Sequence, residues 1–319
     1  MASTDWQPVA SLETQRARAA LLTRVRDFFA ERRVLEVQTP LLSGAGTVDP
    51  NIDSWGTESA VFGPRWLQTS PEFAMKRLLA AGSGPIYQIA QVFRDGERGR
   101  WHNPEFTMLE WYRPGFTLRQ LMEEVAVLVA PELDAHDGEF ITYREAMRRE
   151  ASVDPFTAGV DELRDCLVAR AVPIPGDSET DGDFWLDLVM AEVVGPKLGS
   201  RQLCFVHDYP ASQAALAKLK PGTPAVAERF ELYWKGVELA NGFNELTDAF
   251  EQRRRFAADR ERRLAHGQPA PLADERLLGA LEAGLPDCAG VALGLDRLLM
   301  LRLGLASVAD TLAFPFDRA

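Results

Sequence analysis

Cysteine is scarce: Cys166, Cys204 and Cys288 are the only three in 319 residues, far apart and outside any CxxC or Cys/His ligand spacing. Their number and spacing exclude a disulfide framework and a structural zinc site, and all three are expected to be plain core residues. There is no run of roughly eighteen apolar residues, and Met1 to Leu12 is of mixed polarity. Neither a membrane span nor a signal peptide is therefore expected, and the expected location is the cytoplasm. Basic charge is also short, with 35 Lys and Arg against 47 Asp and Glu for a net charge of -12. Such a balance argues against gripping a polyanion over a broad surface and leaves room only for a small basic pocket. Repeats and low-complexity tracts are lacking, and the Pro/Gly-rich stretch Pro173 to Gly176 is too short to be more than a loop.

What remains is an ordinary globular composition, 46% hydrophobic, 26% charged and 9% aromatic, which excludes disorder as the dominant state. The length prior suggests about two domains, although larger α+β enzymes often fold around one continuous sheet. The strand-rich segments on either side of Leu133 to Gly199 favour one catalytic domain spanning 1–319 with a helical insertion there. The first periodic segment, Thr14 to Arg33, places Leu21, Leu22, Val25, Phe28 and Phe29 on one helical face. Val34 to Gln38 then predicts a strand that ends at Thr39-Pro40. Ser70-Pro71-Glu72 is a helix start, with a capping hydroxyl, a proline suited to the first helical position and an acid that complements the dipole. Tyr87 to Phe93 and Glu105 to Tyr112 predict the arms of a hairpin, with Asp95-Gly96 opening its long tip. Further helices are expected over Leu118 to Ala130, Val160 to Arg170, Asp183 to Val194, Glu251 to Ala265 and Asp274 to Ala283, and a strand over Phe230 to Leu239 closed by Asn241-Gly242.

Three constellations carry chemistry. In the first, Phe93-Arg94-Asp95 is followed by His102-Asn103-Pro104-Glu105-Phe106-Thr107. Arg94 offers a planar fork for a phosphate or carboxylate, His102 a further donor and Phe106 a face for a base. The same residues also read as a solvated loop over a core phenylalanine. The second runs from Gly290 through Ala292 and Gly294 to Asp296-Arg297, small residues leading into an apolar helix. It is neither GxGxxG nor a P-loop, and it reads either as a close approach of backbone to ligand or as a tight packing turn. The third joins Glu231 to Glu238-Leu239-Ala240-Asn241-Gly242-Phe243-Asn244-Glu245. Glu231 and Glu238 share a strand face only if a bulge or bend intervenes; together they would suit a hard cation, and alone they are an acidic strand edge.

These segments resemble motif 2, motif 3 and the metal-binding strand of class II aminoacyl-tRNA synthetases, and Leu35-Glu36-Val37-Gln38-Thr39-Pro40 resembles the end of motif 1. Within that class the chain is most similar to the lysyl type, through Ser70-Pro71-Glu72, His102 to Glu110 and Asn241 to Leu246. The resemblance implies an α+β fold built on an antiparallel six-stranded sheet flanked by helices, ATP as co-substrate, Mg²⁺, and a homodimer built on the motif 1 helix and Pro40. Only about a dozen residues precede the first helix, so the anticodon-binding module of the lysyl enzyme is expected to be absent and no tRNA partner is expected. The implied relatives are therefore the shortened lysyl paralogues that join (R)-β-lysine to a protein, elongation factor P, a likeness also carried by Glu110-Trp111-Tyr112-Arg113-Pro114 and Phe316-Asp317-Arg318-Ala319.

The roles that follow from the resemblance are these. Arg94 bridges the substrate carboxylate and the α-phosphate, His102 and Arg297 hold the γ-phosphate, and Phe106 stacks on adenine. Asp95, Gly96, Asn103, Leu239 and Gly294 line the nucleotide site, while Glu231 and Glu238 bind Mg²⁺. A substrate with two ammonium groups needs carboxylates in a partly desolvated pocket. Glu72 is expected at the amino group nearer the carboxyl and Glu110, Tyr112 and Glu245 at the distal one, with Ser70, Pro71, Asn241 and Ala292 completing the pocket. Two departures from the family stand out. Gly96 follows Asp95 where an acid is usual, so Glu97 or a backbone carbonyl is expected at the adenine amino group; and Ala292 stands where the lysyl-tRNA synthetases have glycine. An amide-forming relative of the asparagine synthetase kind would need an extra cation in the pocket where this chain has three glutamates, and a non-catalytic regulatory subunit would be expected to lose Arg94, Glu231, Glu238 and Arg297, all of which are present.

Overall fold

A computed structural model describes residues 6–136, 138–174 and 181–319. Met1 to Asp5 of the polar amino terminus, and Pro175 and Gly176 of the short loop expected at Pro173 to Gly176, lie outside the described residues. The chain forms two compact units, Met1–Gly115 with Leu246–Ala319, and Phe116–Glu245.

The first unit begins with α1 (Leu12–Glu31), β1 (Leu35–Glu36), β2 (Leu42–Ser43), β3 (Gly56–Ser59), β4 (Gly63–Leu67), α2 (Glu72–Ala80), β5 (Ile86–Phe93) and β6 (Glu105–Pro114). The second contains α3 (Leu118–Leu133), β7 (Gly138–Thr142), α4 (Tyr143–Ala151), α5 (Val160–Val168), α6 (Gly182–Val189), β8 (Leu203–Pro210), β9 (Leu219–Lys220), β10 (Val226–Trp234) and β11 (Val237–Asn244). The chain then completes the first unit with α7 (Ala249–Ala265), α8 (Glu275–Gly284), β12 (Cys288–Gly294) and α9 (Leu295–Leu303).

In the first unit the principal sheet runs β1-β5-β6-β12, and β2-β4-β3 form a small second sheet. In the second the order is β11-β10-β8-β7, with β9 added to β10. The all-antiparallel six-stranded arrangement expected from the resemblance is thus corrected. The sheets of the two units differ from it in strand number, and β1 pairs with β5, and β7 with β8, in parallel. The reason lies in the connections: a parallel pair needs a crossover, and the chain supplies one through β2 to α2 in the first case and through α4 to α6 in the second.

Helix α1 shows why its face was legible in sequence. Leu21, Val25 and Phe29 are at most 1% exposed, and Phe29 stacks on Tyr87 at 4.3 Å and meets Trp111 at 5.4 Å. The apolar face read from the sequence packs on a core. Phe28 is only half-buried, under the Arg32 guanidinium at 3.5 Å. The expected helix starts and ends agree with α3, α5, α7 and α8 to within about a turn, whereas α4 was missed. All three cysteines are free and buried, as expected; Cys204 lies beside Glu139, and burial pushes its thiol up to about 12.

The strand expected over Phe230 to Leu239 is corrected by the second unit. Its residues are the two arms of the β10–β11 hairpin, which turns at Lys235-Gly236, both at positive φ (49° and 75°). Apolar residues on either side, Leu232 to Trp234 and Val237, hid the turn, and Asn241-Gly242 lies within β11.

Arg263 of α7 is 2% exposed and donates to the carbonyls of Asp49, Ile52 and Pro269 and to the Asp53 carboxylate. Removing a buried donor strands those acceptors, at about 1–3 kcal/mol. Arg263→Met is accordingly expected to lower the thermal midpoint by several degrees, roughly 2–4 °C per kcal/mol for a chain of this size; an unchanged midpoint in calorimetry would show that water replaces the guanidinium.

Candidate active site

The first unit holds most of the expected site residues, and five of them lie on one face of its sheet. In the β5–β6 register Gln88 faces Glu110 and Ile86 faces Tyr112, and on the other side of β6 Ala292 faces Glu110 and Gly290 faces Tyr112. Opposed residues share a face and alternate residues return to it, so Phe106, Glu110, Tyr112, Ala292 and Gly294 all project from one side. The opposite face carries Tyr87 and Trp111 onto α1. Ala292 and Phe106 pack against Ala90, Val92 and Met108. Glu110 is 2% exposed and its Oε1 accepts from the Tyr112 hydroxyl at 2.7 Å, so the expected carboxylate and phenol are already paired.

The cationic residues stand at the tip side of this face. Arg94 continues the β5 arm through a bond from its N–H to the Pro104 carbonyl (2.9 Å). Its guanidinium sits 5.2 Å from the centre of the Phe106 ring and 3.5 Å from Glu97 Oε1. Asp95 N–H bonds to the Asp53 carbonyl at 2.9 Å, and Gly96 takes φ +76°, as expected for the Asp-Gly turn. Arg297 is fixed by a bond from Nε to the Trp101 carbonyl (3.0 Å) and lies 2.7 Å from His102 Nε2 through Nη2. Loss of hydration and then the Arg297 charge lower the His102 pKa, although part of the ring remains exposed. A neutral ring with Nε2 accepting from Arg297 leaves Nδ1–H as its donor.

Several expected residues have other partners. Asn103, 8% exposed, donates to the Glu105 carbonyl at 2.6 Å and accepts from Phe316 N–H at 3.1 Å, so its amide ties the hairpin to the end of the chain. Ser70 Oγ accepts from Glu72 N–H at 3.2 Å; Pro71 is the helix cap, one residue earlier than the expected first helical position. The Glu72 carboxylate lies 2.7 Å from Lys76 Nζ, and Lys76 is 1% exposed.

The third constellation lies in the second unit. The β10–β11 register steps from Leu232↔Ala240 to Tyr233↔Glu238, leaving Leu239 as the extra residue. This bulge is the condition on which the two acids share a face: Glu231 stands opposite Asn241, and Glu238 opposite Tyr233, on the same side. Glu231, 7% exposed, receives Arg229 Nη2 at 2.5 Å on Oε1 and the hydroxyls of Tyr209 and Tyr233, each at 2.6 Å, on Oε2. Arg229 Nε also donates to Asn241 Oδ1 at 3.2 Å, and its guanidinium lies 4.5 Å from the Tyr209 ring centre. Glu245 is 1% exposed and bridges to Ala217 through the backbone.

Residues that the sequence reading missed surround these. Asp296, 1% exposed, accepts from Thr107 N–H at 2.7 Å and pairs with Arg18, which locks the start of α9 and hence Arg297 to β6. Lys76 was legible as the i+4 partner of Glu72. Gln88, in the row with Glu110 and Ala292, was legible as a polar residue interrupting an apolar strand, and it accepts from Thr39 Oγ1 at 3.0 Å.

The model of the class II tRNA synthetases (D, K and N) matches residues 5–318. Among curated proteins, the chain is 48% identical over 324 residues to a Salmonella paratyphi A protein named elongation factor P (R)-β-lysine ligase, with 99% of each chain covered. A Proteus mirabilis protein of the same name is 48% identical over 320 residues, covering 99% of this chain and 98% of that one.

Proposed function

This chain belongs to the class II tRNA synthetases of the D, K and N type, and from that membership we propose that it is an ATP-dependent amino acid–protein ligase. It activates (R)-β-lysine to an aminoacyl-adenylate and transfers it to the ε-amino group of a lysine on elongation factor P, as the names of its relatives say of them. The observation that carries the reading is the arrangement within the first unit, where Arg94 and the Arg297–His102 pair accompany a buried Glu110–Tyr112 pair on a sheet face relieved by Gly290, Ala292 and Gly294.

No protein nucleophile is needed. The β-lysine carboxylate attacks the α-phosphorus of ATP, a P–O bond forms as the α–β phosphoanhydride bond breaks, and pyrophosphate leaves. The acceptor amine then attacks the adenylate carbonyl; the bond to AMP breaks, an amide forms and the amine loses its proton to solvent. Catalysis is positioning and charge stabilisation. Arg94 holds the carboxylate against the α-phosphate, His102 through Nδ1 and Arg297 hold the γ-phosphate, and Phe106 exchanges the Arg94 guanidinium for the adenine ring. Asp95, Gly96, Asn103, Leu239 and Gly294 line the nucleotide, and Glu97, already beside Arg94, takes the adenine amino group. Glu110 with Tyr112, and Glu245, receive the distal ammonium, Glu72 the nearer one, and Ser70, Pro71, Asn241 and Ala292 shape the pocket.

Glu231 and Glu238 fit Mg²⁺, because the bulge turns both carboxylates to one face and Oε1 of Glu231, with one donor from Arg229, keeps a second lone pair. When bound, the ion neutralises phosphate charge. Among the described residues no helix is long and apolar enough to cross a membrane, and the reading places the enzyme in the cytoplasm with ATP and its acceptor.

Incubation with ATP, Mg²⁺ and α- or β-lysine, adding purified elongation factor P or tRNA in turn, tests the acceptor. A mass gain of one β-lysine on the protein is expected, and charging of tRNA instead would overturn the reading. The homodimer is supported by Leu35, Leu41 and Leu42 around Pro40, which are 56%, 42% and 48% exposed, and closed twofold symmetry is the usual way to cover such a patch. Light scattering at micromolar concentration is expected to give twice the chain mass; a monomer would contradict it.

A further inference from the structure

A polar cluster in the second unit has no role in the scheme above. On α6, Asp183 and Asp187 stand one turn apart and face the turn that follows β8. Ser212 lies 2.6 Å from Asp183 Oδ1 through its hydroxyl, and Gln213 Nε2 donates to Asp187 Oδ1 at 2.8 Å. The other atom of the Gln213 amide, Oε1, is buried and meets no hydrogen-bond partner, and the same is true of the Tyr143 hydroxyl. Gln213 is 8% exposed and Tyr143 0%. Tyr143 packs its ring 4.7 Å from that of Tyr209, whose hydroxyl holds Glu231. Asp187, in contrast, keeps part of its surface exposed while its carboxylate is partly enclosed.

Two buried oxygen atoms without partners beside an accessible carboxylate form a set of acceptors awaiting a donor, since leaving them unmade costs more than the bonds themselves return. The charge has one sign to offer. Asp187 lies in the field of the Arg229 guanidinium, which is already divided among Glu231, Asn241 and the Gln213 carbonyl. What the amide oxygen and the phenol oxygen can both take up is a group that donates hydrogen bonds. Burial pushes the Asp187 carboxyl up to about 7, with Glu231 and Asp183 adding to the shift and Arg229 opposing it, and burial followed by the Asp187 charge raises the Tyr143 phenol. Both shifts are of the kind an incoming positive charge would relieve.

We propose that Asp187, Gln213 and Tyr143 form a further recognition site, for a primary alkylammonium group. Three donors in a tetrahedral head suit a carboxylate, an amide oxygen and a phenol oxygen. The assignment rests on the functional reading, in which both reactants carry such a group: β-lysine, and the acceptor lysine of the partner protein.

The two sources separate in the two half-reactions. Pyrophosphate exchange requires β-lysine without the acceptor, and transfer from preformed adenylate requires the acceptor. Asp187→Asn is expected to raise KM about tenfold or more for one of the two, with kcat changed far less. A rise confined to β-lysine in exchange assigns the site to the small substrate, and a rise confined to elongation factor P in transfer assigns it to the acceptor. Asp187→Glu, which keeps the charge, should recover part of the loss, and Gln213→Leu should move the same KM in the same direction. Thermal midpoints within a few degrees of wild type keep either variant informative. Unchanged KM values in both half-reactions for both Asp187→Asn and Gln213→Leu overturn the site. Wild-type enzyme that makes no β-lysine adenylate would instead overturn the functional reading.

Discussion

Replacing Arg94 by alanine is expected to slow β-lysine-dependent ATP–pyrophosphate exchange roughly a hundredfold, which corresponds to ~3 kcal/mol of transition-state stabilisation. The guanidinium lies over Phe106 and within reach of Glu97, so it stands at the nucleotide end of the sheet face before any substrate arrives and moves off the ring when adenine takes its place. In-line attack on the α-phosphorus places growing negative charge on the phosphate oxygens and leaves it on the departing pyrophosphate, and a planar fork meets two of those oxygens at once. Lysine supplies charge without the fork, so Arg94→Lys should recover only part of the rate. Arg297→Ala should cost a similar factor for a different reason. Arg297 is the group that His102 and the Trp101 carbonyl hold in place, and its removal frees the ring as well as the phosphate contact. Exchange within tenfold of wild type in Arg94→Ala would remove that residue from this role.

The reach of the sequence differs between the two units for physical reasons. The β5–β6 hairpin was legible because its chemistry is local: Arg94 and Phe106 meet across one turn, and alternation fixes which side each faces. Glu231 was legible as an acid and illegible as a site. Whether it shares a face with Glu238 depends on a bulge at Leu239 and a turn at Lys235-Gly236, and an apolar run of Trp234 and Val237 conceals both. What holds Glu231 was out of reach altogether, since Tyr209 comes from a neighbouring strand 22 residues away. Phe28 marks the limit of periodicity, because five apolar residues overfill the face of α1 and only tertiary packing on Tyr87 and Trp111 decides that Phe29 is buried and Phe28 is not.

The same register gives Ala292 its importance. Its methyl group projects beside Glu110 from the neighbouring strand, between Gly290 and Gly294, neither of which adds a side chain to the face. In this arrangement the methyl is the one hydrocarbon group that β12 contributes at that level of the pocket. If the amino group nearer the carboxyl lies there, a methyl narrows the space left to an α-amino group, while moving the nitrogen one carbon along, as in β-lysine, changes where it must fit. Overpacking of this kind costs ~1–3 kcal/mol, enough to shift a preference by about ten- to a hundredfold. Ala292→Gly is therefore expected to improve activation of α-lysine relative to β-lysine. Added backbone freedom in a strand interior should cost roughly 0.5–1 kcal/mol of stability, and the pairing of the residue with β6 remains. The measurement is kcat/KM for both isomers in the two variants. An unchanged ratio would mean that Ala292 only packs against Met108 and its neighbours, and that the choice between isomers is made around Glu72, which Lys76 pairs.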